Sequence, residues 1–301
     1  MNTHEPGAVP APVARSLMFV PGHKRPMVEK ALAMASLDVA ILDLEDGAPP
    51  AQKDAARSVL ADALARDGGA RPARFVRANA VASAHFASDI AAIVGPGLRA
   101  IVLPKVDGVA DVAAAEEIVS GRERDAGLAV GSVRFVVSVE SALGLLNAYA
   151  IATASPRIAG VLFGAEDYAN DLGLPADRQG EASRLLHARA SVVVAATAAR
   201  VPAYDGIWPD IRDAAGLRRD SALGRQLGFS GKSLIHPGQI DAINEAFSPS
   251  EADLEAARNV VAAFETAEAR GDGAAALDGS LVDRPIVERA RRVLRASEPA
   301  R

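Results

Sequence analysis

Short, nearly continuous apolar runs recur along the chain, at 16–22 (SLMFVPG), 38–46 (DVAILDLED), 74–79, 100–105, 134–140, 158–167, 201–208 and 231–236. Each is followed by a stretch whose apolar residues return at helical spacing, at 25–36, 50–65, 83–95, 109–124, 142–154, 181–200, 215–228 and 239–247. Strands of a parallel sheet covered on both faces read as continuous apolar runs, and the amphipathic stretches between them supply the crossover helices. Eight such units predict an α/β fold, a (β/α)8 TIM barrel over residues 15–248. An open doubly wound sheet is the alternative. It is less well supported because no G-x-G-x-x-G follows a strand, and polar groups end most of the strands instead of clustering at one crossover. A Pro/Ala-rich leader, 1–14, reads as flexible. The C-terminal helical extension, 249–301, reads as a helix at 251–271 with Ser250 as N-cap, a connector at 272–285 and a helix at 286–298. Such an extension is expected to pack on a neighbouring subunit or to cover the site.

Composition narrows the function classes. With 301 residues, half of them hydrophobic, the chain can bury a full core. A net charge of −5 without a Lys/Arg cluster argues against nucleic-acid binding. The absence of cysteine excludes disulfides, thiol nucleophiles and thiolate metal sites. No secretory signal precedes the first strand and no apolar run reaches membrane-spanning length, so the sequence reads as a soluble cytoplasmic protein with no membrane partner.

The polar residues at the strand ends carry the chemistry. Glu140 and Asp167 close the proposed fifth and sixth strands, which are neighbours in a barrel, so both can reach one cation. Two hard oxygen ligands, completed by water or substrate, suit Mg²⁺; the alternative is that they cap helices or pair with an arginine. Arg77 ends the third strand, where its fork can hold a substrate carboxylate or form a salt bridge to Glu45 or Asp46. Along the second strand Asp43 and Glu45 share a face and Asp46 points the other way. Lys105 is placed for a Schiff base, although its acidic surroundings favour a charged ammonium in an ion pair. His236, alone before Pro237, reads more readily as a helix-start residue than as a zinc ligand. Gly22, His23, Lys24 and Arg25 form a strand-to-helix turn suited either to a diphosphate or to solvent.

The segments RSLMFVPG, ILDLEDGA with its downstream QKDAAR, VRAN, LPKV, VESALGLLNA, FGAEDYANDLG, GKSLIHPGQI and GSLVDRP run in this order from Arg15 to the last helix. Together they resemble the citrate lyase β-subunit-like group of the HpcH/HpaI aldolase superfamily, which includes malyl-CoA and citramalyl-CoA lyases. The resemblance implies Mg²⁺-dependent, reversible carbon–carbon cleavage of a 3-hydroxyacyl-CoA thioester into a shorter acyl-CoA and a 2-oxo acid. It implies Glu140 and Asp167 as metal ligands and Arg77 as the holder of the carboxylate and oxo oxygen, with Glu45 and Asp46 beside it in the catalytic group. Phe19, Lys24 and Arg15 would lie near the CoA. Asp283 would be the acid/base that a neighbouring subunit's C-terminal segment supplies, in a homotrimer or homohexamer. The family's Met-Ile before this aspartate is Leu281-Val282 here. A citrate lyase β subunit acting on a carrier-protein thioester, a malyl-CoA-type thioesterase and a non-catalytic CoA-ester binder are the competing functions.

Overall fold

The computed structural model describes residues 14–66, 72–175 and 185–296. Most of the expected leader, 1–13, and part of the stretch read as the sixth helix, 181–184, lie outside them. The chain divides into two compact units between Ile243 and Asn244. The sequence reading puts a boundary after 248; helix Ile240–Ala246 spans the observed division.

The first unit is a closed, all-parallel barrel of eight strands: β1 (Ser16–Pro21), β2 (Val39–Asp43), β3 (Ala73–Arg77), β4 (Ala100–Leu103), β5 (Arg134–Val139), β6 (Ile158–Phe163), β7 (Ala203–Asp205) and β8 (Gly231–Leu234). Closure comes from β1 pairing with both β2 and β8. Residues of one parity fill the interior: Leu17, Val39, Ile41, Phe75, Val102, Val136, Leu162 and Tyr204 form one buried cluster. Side chains alternate across a strand, so the same parity continued toward the carboxyl ends turns Asp43, Arg77 and Ser138 into the mouth of the barrel. Gly160 belongs to this row, and a Cβ there would meet the Tyr204 ring at 2.7 Å. The small residue on β6 is what admits the large one on β7.

The helices follow the predicted order with two refinements. The stretch at 142–154 is two short helices, Ala142–Leu146 and Ala148–Ala152, joined at Asn147, whose amide donates to the Asp107 carbonyl at 2.8 Å. The start of the second helix is a short 3₁₀ turn, Pro50–Gln52, leading into helix Lys53–Ala65.

The second unit has its own small core. Helix Glu251–Glu268 begins at Ser250, whose Oγ accepts from the Asp253 N–H at 3.1 Å while the Asp253 carboxylate accepts from the Ser250 N–H at 2.9 Å. The stretch read as a connector is a hairpin, β9 (Ala275–Leu277) and β10 (Ser280–Val282). Its turn residues Asp278 and Gly279 both have positive φ, 49° and 77°, as an Asp-Gly turn of the primed type requires. Phe264, Val282 and Val287 close the core between helix 251–268, the hairpin and helix Arg284–Ala296.

Candidate active site

A cavity of about 320 Å³ opens at the carboxyl ends of the strands, lined on one side by Asp43, Arg77, Ser138, Glu140 and Asp167. Apolar residues of β1, β6, the helix after β1 and the loops after β7 and β8 line most of the rest. This is where the (β/α)8 fold places its chemistry.

Arg77 is the most constrained group in it. Its Nε and Nη2 donate to Asp43 Oδ1 and Oδ2 at 2.8 and 2.6 Å, a two-pronged pairing, and its Nη1 lies 3.1 Å from Glu45 Oε2. The guanidinium stacks on the Phe19 ring at 4.7 Å from the centroid. Burial opposes the charge, but Asp43, Glu45 and Glu140 outweigh it and hold Arg77 above its ordinary range. Asp43 has no oxygen to spare, because the N–H groups of Glu45 and Gly47 also donate to it, at 2.9 and 2.8 Å. The salt bridge weighed as an alternative for Arg77 is present, but Asp43 carries most of it, Glu45 adds to it, and Asp46 is exposed.

Glu140 and Asp167 line the same cavity. Glu140 is buried, and its Oε1 accepts from the Lys105 N–H at 2.6 Å. Burial, with Glu45 and Asp167 nearby, pushes its carboxyl up to about 7 against the opposing pull of the Lys105 N–H and Arg77. Asp167 reaches the cavity from the first turn of helix Ala165–Asp171. Between the two lies Gly164, where a Cβ would sit 2.5 Å from Glu140 Oε2. These residues fit a hard divalent cation: negative charge is in excess at Glu140, and the missing side chain at 164 leaves Oε2 clear. Among the described residues no cluster supplies three or more candidate protein ligands. Two carboxylates with water or substrate oxygens would complete the shell, a set that suits Mg²⁺.

A second layer fixes the β2 and β3 ends. Lys53 is buried, and its ammonium donates to the carbonyls of Leu44 and Glu45 at 2.6 and 2.7 Å and to Asn79 Oδ1 at 2.6 Å. Asn79 in turn donates to Asp89 Oδ2 from its backbone N–H at 2.8 Å and its side-chain amide at 2.6 Å. Lys105 forms an ion pair with Glu45 at 2.8 Å, and this contact with Glu45 raises its pKa, so it holds no neutral amine for a Schiff base. His236 Nδ1 accepts from the Gly238 N–H at 3.1 Å, the local helix-start role.

The other residues expected at the site are dispersed. Lys24 is exposed at the turn before helix Arg25–Leu32, and Arg25 is committed to Asp62 at 2.7 Å. Arg15 is not brought to the cavity. It precedes β1 at the amino ends of the strands, where its Nε and Nη2 donate to Asp38 at 2.9 and 3.0 Å. Asp283 belongs to the second unit, where its Oδ1 accepts from the Ile286 N–H at 3.3 Å at the start of the last helix. Sequence reasoning passed over Lys53, Asn79 and Gly164, and it weighed Asp43 only as a neighbour of Glu45. Parity along β2 was the available signal for Asp43. Lys53 gave no charge-pairing signal, because its partners are two backbone carbonyls and an amide oxygen, with no carboxylate among them.

Fold and site define a barrel enzyme whose strand ends hold a clamped arginine beside two carboxylates suited to a divalent cation. The chain belongs to the HpcH/HpaI aldolase/citrate lyase family, whose model matches residues 15–237. It is 38% identical over 281 residues to the citrate lyase subunit beta of Leuconostoc mesenteroides subsp. cremoris, covering 93% of this chain and 92% of the relative. It is 35% identical over 284 residues to a (3S)-malyl-CoA thioesterase of Cereibacter sphaeroides, covering 94% of each. The crystal structure of CitE from Mycobacterium tuberculosis in complex with magnesium, acetoacetate and coenzyme A superposes with a TM-score of 0.77 at 32% identity, covering 94% of this chain and 98% of that one.

Proposed function

We propose that this protein is a Mg²⁺-dependent lyase that cleaves, or in reverse condenses, the carbon–carbon bond of a 3-hydroxyacyl-CoA thioester such as malyl-, citramalyl- or citryl-CoA. The observation that carries this reading is the Arg77 fork, pinned by Asp43 and facing a cavity with Glu140 and Asp167 on its wall. A cation fixed in this way positions an anionic substrate and needs no covalent attachment to do so.

In the cleavage direction Arg77 orients the carboxylate and the neighbouring oxygen of the half that leaves as a 2-oxo acid. Glu140 and Asp167 hold the metal, which when bound supplies Lewis acidity to the substrate oxygen, an effect worth several kcal/mol. As the bond between the α and β carbons breaks, its electron pair passes into the thioester as an enolate and the hydroxyl gives its proton to the Asp283 carboxylate. Asp283, contributed by a neighbouring copy in a homotrimer or homohexamer, returns a proton to the enolate carbon. Positioned proton transfer of this kind adds roughly 10²–10⁴-fold. Glu45 and Asp46 complete the group around Arg77, with Glu45 in contact and Asp46 adding only its field. Phe19 supports the guanidinium from below, and Lys24 is the exposed cation available to CoA phosphates.

The thioesterase relative supports a second outcome at the same site, hydrolysis of the thioester; the citrate lyase relative supports an acyl-carrier-bound substrate. One experiment separates them. The purified protein is incubated with malyl-, methylmalyl-, citramalyl- and citryl-CoA, with Mg²⁺ or with excess EDTA, and the products are identified by mass spectrometry. The expected result is a shorter acyl-CoA and a 2-oxo acid, formed only with metal. Free CoA with an intact hydroxy acid would replace the lyase with a thioesterase, and no turnover of any CoA ester would count against both.

A further inference from the structure

Lys105, at the end of β4, has φ of 54°, one of three non-glycine residues with positive φ among those described. Glycine or asparagine occupies that region with little strain, and lysine does so at a penalty. A strained residue beside a candidate site invites the question of what its side chain supplies. Here the backbone and the side chain of one residue hold two different carboxylates: the N–H donates to Glu140 Oε1 at 2.6 Å, and Nζ lies 2.8 Å from Glu45 Oε1. The backbone contact would survive in glycine or asparagine. The ammonium contact would not.

Glu45 depends on that ammonium. It is buried, and neither carboxylate oxygen has a well-aligned hydrogen-bond donor. Two charges hold it, Lys105 Nζ on one oxygen and Arg77 Nη1 at 3.1 Å on the other. Glu45 thus spans from Lys105 to Arg77, and Arg77 continues the chain to Asp43. Asp43 engages the Nε and Nη2 side of the guanidinium, and Glu45 engages Nη1.

We infer that Lys105 is a positioning residue: its ammonium anchors Glu45 against Nη1 of Arg77, the side of the guanidinium that Asp43 leaves unheld, and so steadies the group that faces the cavity, while its backbone N–H separately anchors Glu140. The inference rests on the proposed role of Arg77 for its kinetic consequence, but its structural part stands alone. It assigns Lys105 neither covalent chemistry nor metal ligation.

The test compares Lys105→Asn, which accepts positive φ but lacks the cation, with Lys105→Arg, which keeps the cation. Both variants should melt within a few degrees of wild type. In a crystal structure of Lys105→Asn, Glu45 should leave its contact with Arg77 Nη1 while the N–H of residue 105 still donates to Glu140. Mg²⁺ affinity, titrated calorimetrically without substrate, should stay within about 3-fold of wild type, whereas kcat/KM should fall by about 10-fold or more and recover largely in Lys105→Arg, the scale expected for an outer-layer partner. Glu45 unmoved in the Asn variant would overturn the inference, as would Mg²⁺ affinity falling in step with kcat/KM. A wild type that turns over none of the thioesters would defeat the proposed function only, because the crystal structure still decides where Glu45 goes.

Discussion

At the scale of single residues the site is a balance of charges in which each carboxylate has a separate task. Asp43 is consumed by the guanidinium and two backbone N–H groups. Glu45 is the link between two cations. Glu140, with burial and two neighbouring carboxylates against it, is pushed up to about 7. The sign of that shift gives a prediction. A raised carboxyl is destabilised in its charged form, so without metal Glu140 weakens the fold as pH rises through about 7, and a bound cation removes that penalty. Mg²⁺ should therefore raise the melting temperature more at about pH 8 than at about pH 6, where a proton occupies the ligand. Equal stabilisation at both pH values would mean that Glu140 is not a ligand or that its carboxyl is already ionised at about pH 6. That Arg77, Glu140 and Asp167 come together at the barrel mouth was legible from position alone, since each ends an apolar run. Division of labour among Asp43, Glu45 and Asp46 was only half legible: strand alternation separates Asp46 from the other two, but it does not say which of those two takes the two-pronged arginine.

At the scale of elements, the barrel was legible because eight apolar runs each led into a helical pattern, whereas local breaks in that pattern were not. The hairpin at 275–282 hid in an Ala- and Gly-rich segment whose strands are too short to show alternation, although Asp278-Gly279 is a recognised turn pair. Helix Val109–Asp125 shows how an element is tied to the sheet it follows. Glu123 in its last turn accepts from Arg157 Nη2 at 2.6 Å and from the N–H groups of Gly131 and Val133 at 2.9 and 2.8 Å. Burial works against the charge, but Arg157 and these N–H groups prevail and bring the carboxyl down to about 2 from its ordinary 4.5. A depressed carboxyl contributes stability that is complete above its unfolded value and is lost as pH falls toward the folded one. Glu123→Gln should therefore be less stable than wild type at neutral pH, with the gap closing as acid is added from about pH 4.5 toward about pH 2. Acid titrations at several urea concentrations, followed by circular dichroism, would show it; a constant gap across that range would assign the loss to packing.

At the scale of the whole molecule, the two compact units carry different parts of the proposed chemistry: the arginine and the candidate metal ligands lie in the first, and Asp283 lies in the second. No helix among the described residues is long and apolar enough to cross a membrane. If the aspartate serves a neighbour's cavity, two crippled chains can complement each other. Arg77→Lys and Asp283→Ala should each be nearly inactive, and mixing them under conditions that exchange subunits should restore a sizeable fraction of activity, because some mixed sites contain both native residues. No recovery despite proven exchange would place both residues of a working site in one chain. A further consequence lies in how the cavity is assembled. Its charged groups Asp43, Arg77 and Glu140 close β2, β3 and β5, whereas Met27 comes from the helix after β1, and Ile207 and Ile235 from the loops after β7 and β8. Descendants of such a chain can remodel the walls, and with them the shape of molecule admitted, while leaving the ion pairs untouched. Change in diet and change in chemistry are thereby open to selection one at a time.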